Sequence, residues 1–76
     1  MNADKRVVAY HIGRLKDKRV EVRLASIAEL AELGDAGALN ALETVYRSDE
    51  DAAVRHAAQQ AGRVIYAKQR ALAEGK

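Results

Sequence analysis

Cysteine, proline, phenylalanine and tryptophan are all absent from this chain, and each absence removes something. Without cysteine there is no disulfide staple and no thiolate to attack a substrate or hold a metal, a composition suited to a reducing compartment. Without proline no helix is forced to break, and no apolar–polar alternation marks a strand. Three tyrosines supply all the aromatic surface, while sixteen alanines make up much of the apolar 49 %. A core of this kind is thin and must be closed by helices that approach on small side chains. No apolar run is long enough to span a membrane, and the opening MNADKRVVAY carries charges where a signal peptide needs an apolar stretch. The expectation is a cytoplasmic protein with no membrane partner, folded as one domain over residues 1–76.

Charge is plentiful but unevenly placed. Residues 1–19 carry six Lys/Arg against two acids, residues 20–53 two against eight, and residues 54–76 five against one. Basic ends flanking an acidic middle suit end-to-middle self-association or an anionic partner at one end; solvated helix faces account for the same pattern.

Helical periodicity organises the rest. Four helices are expected, over about residues 3–16, 18–33, 36–46 and 49–73. The first buries Val8, Ile12 and Leu15 and shows Arg6, Tyr10 and Arg14 on another face. The second carries two apolar stripes, Val22/Leu30/Leu33 and Val20/Leu24/Ile27/Ala28/Ala31, with Glu21, Glu29 and Glu32 on the wet edge between them and Arg23 at the other boundary. It ends at Gly34, suited to a left-handed C′ position, and Asp35 caps the third helix. That helix buries Leu39, Leu42, Val45 and Tyr46. Ser48-Asp49-Glu50-Asp51 has capping-box spacing, and the last helix aligns Val54, Ala57, Ala58, Ala61, Ile65 and Leu72. Short turns between four helices give an all-α fold of antiparallel hairpins, with the first and third helices in one layer and the second and fourth in the other. The second helix is expected to touch both its sequence neighbours and the fourth.

The chain repeats itself. Asp17-x-x-x-x-Val22-Arg23-x-Ala25 returns 32 residues later as Asp49-x-x-x-x-Val54-Arg55-x-Ala57. The string from Val22 through Leu30, Leu33-Gly34-Asp35, Ala38-Leu39 and Leu42 to Val54 resembles a HEAT-like repeat, of the short variety named for bilin-lyase subunits. The resemblance covers about Val8 to Ile65, one full unit with partial flanks. It implies helical hairpins stacked as a mini α-solenoid whose helices bind other macromolecules. Gly62 stands where such repeats have leucine, which implies that the last helix acts as a terminal cap.

Chemistry is sparse. His11 and His56 lie on different helices without carboxylates at ligand spacing, and Asp49-Glu50-Asp51 lacks the glycine and distal glutamate of a calcium loop. No serine or threonine has an evident base, and there is no phosphate loop. No catalytic residue, metal or cofactor is expected. The recurring Arg23 and Arg55 oppose the helix dipole at two helix starts, so each needs a local acid. They are expected to form a ladder of Asp–Arg contacts that fixes one hairpin against the next.

The function expected is a non-catalytic protein–protein interaction module, a small scaffold or adaptor whose protein partner the sequence does not name. Its partner face is expected on the layer of the first and third helices, at Arg6, Tyr10, Arg14, Asn40, Thr44 and Arg47, because aromatic and arginine side chains are enriched in binding hot spots. The alternative is a nucleic-acid or phosphate-binding module built on the basic N-terminal helix, with Tyr10 between two arginines; the acids of residues 20–53 oppose it. The family resemblance alone suggests a third role, as an accessory to a tetrapyrrole-attaching enzyme. Self-association is expected as a homodimer through Leu24, Ile27, Ala28 and Ala31. These align with the polar His56, Gln59, Gln60 and Arg63, and so look apolar beyond what the fold requires.

Overall fold

The computed structural model describes residues 4–75, in which four α-helices and no strand are found. They are α1 (Lys5–Arg14), α2 (Val20–Leu33), α3 (Leu39–Ser48) and α4 (Ala52–Glu74), with a single 3₁₀ turn at Ala36–Ala38 before α3. Each boundary has a chemical cause. Asp4 starts α1 by accepting the Arg6 N–H at 2.8 Å; the expected start at residue 3 lies outside the described residues. Gly34 ends α2 in the left-handed region at φ 68° and donates its N–H to the Leu30 carbonyl. Asp35 then caps the 3₁₀ turn through Gly37 N–H at 2.7 Å. The expected capping box does not form. Ser48 turns back to donate to the Thr44 carbonyl at 2.7 Å, and Asp51 caps α4 instead, accepting the Val54 N–H at 3.0 Å.

The helices pair as α1 with α2 and α3 with α4, and the two hairpins are joined by α2 packing on α4. The backbones of α1 and α3 stay apart, and so do those of α2 and α3. α2 packs closely on α1 and α4, and reaches the end of α3 through Arg23 and Asp49 rather than by the close packing expected. The core is Val8, Leu15, Ile27, Leu30, Ala38, Leu42, Val45, Val54, Ala58, Ala61 and Ile65. Alanines at the crossings let the backbones approach, as the composition requires. Two expected core residues lie outside. Tyr46 is 42 % exposed, and Leu72, on α4 past the point where Gln69 meets the end of α2, is 69 % exposed.

The two stripes of α2 prove to be flanks of one wide arc. At about 100° per residue, Arg23, Ser26, Ile27 and Leu30 lie at its centre, with Val22 and Leu33 on one flank and Val20, Leu24 and Ala31 on the other. Arg23, expected at a boundary, is in the middle of the buried side. The homodimer expected through Leu24, Ile27, Ala28 and Ala31 does not hold. Ile27 is 2 % exposed inside the chain's own core, Leu24 and Ala31 pack against that core, and only Ala28 faces water. The stripe is apolar because it faces the second hairpin, and its polar equivalents on α4 face outward.

Candidate interaction groove

Because α1 and α3 stay apart while α1 closes on α2, α3 on α4 and α2 on α4, the stack has a groove on its α1–α3 side. Its volume is about 1060 Å³. Ile12 of α1, Leu15 just past its end and Val20 of α2 form one wall, and Ala41, Thr44 and Val45 of α3 the other. The turns close one end with opposite charges, Lys16 and Lys18 on one side and Glu50 and Asp51 on the other.

Arg23 and Asp49 also line this groove and hold its two sides in register. The guanidinium donates from Nε to Asp49 Oδ2 at 2.9 Å and from NH2 to Oδ1 at 3.1 Å, a bidentate fork. Its third nitrogen donates to the Asp17 carbonyl at 2.8 Å and the Lys18 carbonyl at 3.1 Å. With side chains 13 % and 9 % exposed, the pair is nearly dry. Burial alone would push the Asp49 carboxyl up. The Asp51 N–H, the Arg23 fork and the Arg55 charge outweigh that and hold it below the usual range. Arg55 repeats part of the pattern by donating to the Asp49 carbonyl at 2.6 Å. Of the expected Asp–Arg ladder one rung forms, Arg23 on Asp49, and its acid comes from the next repeat and not from its own turn; Arg55 takes a backbone carbonyl instead of a carboxylate.

The six residues expected to form one partner face are dispersed. Asn40 and Thr44 line the groove. Arg47 stands outside it, paired with Glu43 at 2.8 Å. Tyr10 is two residues from the groove-lining Ile12, about 160° around the helix, and so turns away with Arg14. Arg14 donates to the Tyr10 hydroxyl at 3.2 Å and lies 5.5 Å from the ring centroid, a cation–π contact. Arg6 pairs with Asp4 at 3.4 Å. His11 meets the Tyr10 ring edge-on at 5.1 Å, with a buried Nδ1 that has no hydrogen-bond partner.

Two contacts had no sequence signal. Lys68 of α4 donates to the Ala31 and Glu32 carbonyls at 3.3 and 3.2 Å, and Gln69 to the Gly34 carbonyl at 2.9 Å. They satisfy the open carbonyl end of α2 from another helix, so they fix how far α4 slides along it. Among the described residues no three His, Cys, Asp or Glu converge as a metal site, and no helix is long and apolar enough to cross a membrane.

A family model of HEAT repeats matches residues 2–62. Neither the curated proteins nor the solved structures yield a match to the chain. The chain belongs to the HEAT-repeat family, whose members are in general protein-interaction scaffolds without catalytic activity.

Proposed function

We propose that this HEAT-repeat protein is a non-catalytic interaction module that takes a segment of a protein partner into the groove between α1 and α3. The observation that carries this reading is the groove itself, with apolar walls, charges of opposite sign across its end, and the Arg23–Asp49 pair fixing its width. A complementary segment places one or two apolar side chains against Ile12, Ala41 and Val45, with an acid toward Lys16 and Lys18 and a base toward Glu50. Thr44 and Asn40 supply exposed polar contacts on the α3 wall. A groove of this size suits a short segment and a transient complex.

The nucleic-acid reading has less support. Arg6 bonds the capping Asp4 and Arg14 bonds Tyr10, and the exposed acids of α2 and the turns oppose a polyanion. The test is selection of a random peptide library on the immobilised protein, followed by binding of the selected peptide to Thr44→Arg, which fills the groove without touching the core. Binding should fall at least tenfold with the melting temperature unchanged, while Tyr10→Ala with Arg14→Ala has little effect. Equal binding to Thr44→Arg rejects the groove. Capture of single-stranded oligonucleotides, lost steeply with salt, would favour the alternative.

A further inference from the structure

The interface that joins the two hairpins inside the chain has an unused half at each end of the stack. At the far end, Arg55, Gln59, Gly62 and Arg63 occupy the positions at which Arg23, Ile27, Leu30 and Ala31 meet the second hairpin, 32 residues earlier. Gln59, Gly62 and Arg63 line a shallow notch of about 390 Å³ between Tyr46 and Tyr66. The Arg55 guanidinium makes the carbonyl bond that Arg23 makes, but its Nε and NH2 have no partner among the described residues. Arg63 is likewise in no ion pair there.

At the near end, Ala25, Glu29 and Glu32 are all exposed, at the positions of Ala57, Ala61 and Val64. On α4 that stripe runs on to Lys68, which reaches α2. Asp17 corresponds to Asp49, and its Oδ1 accepts the Arg19 N–H at 2.9 Å as Asp49 Oδ1 accepts the Asp51 N–H at 2.9 Å. The carboxylate that would take an incoming arginine is held by Arg19 through Nε and NH2, the same two nitrogens that Arg23 uses on Asp49. Arg19 is 63 % exposed, so its side chain holds Asp17 in water, where another guanidinium can replace it.

We infer that the protein associates head to tail with a second copy of itself, the α3–α4 end of one molecule receiving the α1–α2 end of the next in the register of the internal hairpin junction. In that register Arg55 exchanges with Arg19 for Asp17 of the second copy, and Arg63 meets its Glu29 and Glu32. The end faces are complementary in charge, basic on α4 and acidic on α2, and small where the helices cross, at Gly62 and Ala25. A contact between two different faces does not close on itself, so it propagates.

The test is sedimentation velocity of the 76-residue protein from micromolar concentration to ~1 mM. The wild type should grow past two chains as concentration rises. Arg63→Glu, which sets acid against acid, and Ala25→Gln with Glu29→Gln, which removes both the small residue and the charge, should each be monomeric and retain the wild-type circular dichroism. Mixed in equal amounts, these two variants each keep one intact face, and should form a complex of two chains and no larger. Arg19→Ala frees Asp17 and should strengthen association several-fold. A wild type that stays monomeric at the top concentration overturns the inference. So does one that stops at two chains, or a variant mixture that stays monomeric.

Discussion

α2 and α4 are built on one spacing, yet one is enclosed and the other is not. At the positions facing forward along the stack, α2 has Arg23, Ile27, Leu30 and Ala31, and α4 has Arg55, Gln59, Gly62 and Arg63. The first set lies against a second hairpin; the second set lines an open notch. Facing backward the contrast inverts, with Ala57 and Ala61 packed on α4 where α2 has the exposed Ala25 and Glu29. Position in the repeat sets which residue points where, and the presence of a neighbour sets whether that residue is apolar. An apolar stripe on one copy of a repeat is therefore evidence of something covering it.

The sharpest way to probe this contrast is to make the same change on both helices. Leu30→Ala removes a fully buried side chain from the junction and should cost about 3 kcal/mol in urea denaturation, a large share of what a domain this small has. At the equivalent position Gly62→Ala should stabilise by about 0.5–1 kcal/mol, because a methyl group there meets nothing within 4 Å and a mid-helix glycine is replaced. Comparable losses at both sites would mean that α4 is covered on its forward side as well.

Acid should loosen the junction next. Hydrogen bonds from the Arg19 side chain and N–H hold Asp17 down at about 2, and the Gly37 N–H and Lys5 lower Asp35. Asp49 is lowered against the cost of its burial. Each carboxyl is more acidic folded than unfolded, so its contribution is complete above its unfolded value of 3.8 and is lost as pH falls from there through the folded value. Denaturation midpoints should be flat from neutral pH to about 5 and fall below it. In Asp49→Asn the neutral-pH midpoint should be lower and the acid slope shallower. Smaller still, Gln69→Ala uncovers the Gly34 carbonyl and should cost about 1 kcal/mol, with faster amide exchange in the last turn of α2.

Much of this was legible in the residues. Periodicity located all four helices, Gly34 and Asp35 marked a tight connection, and the 32-residue repeat of Asp, Val and Arg pointed to the stack and to the one Asp–Arg pair that pins it. Legibility failed where the answer depended on which neighbour a face meets. The stripe at Leu24 and Ile27 looked like a spare surface because periodicity tells which residues share a side, and not whether that side looks forward or backward along the stack. Tyr10, Arg14, Asn40 and Thr44 looked like one face for the same reason; corresponding sides of α1 and α3 point the same way, so one looks out of the stack and the other into the groove. Lys68 and Gln69 gave no sign, since capping of one helix by another depends on where a long helix happens to pass.

Arg23 and Asp49 clamp two copies of a repeat together, and among the described residues the corresponding Arg55 and Asp17 have no such bond within one molecule. A double-mutant cycle on stability, run at low micromolar concentration, tests it directly. Arg23→Ala and Asp49→Ala should each destabilise the fold, with a coupling of about 2 kcal/mol between them for a nearly buried bidentate pair, while Arg55→Ala and Asp17→Ala add without coupling. Absence of coupling between Arg23 and Asp49, or equal coupling in both pairs, would contradict the account.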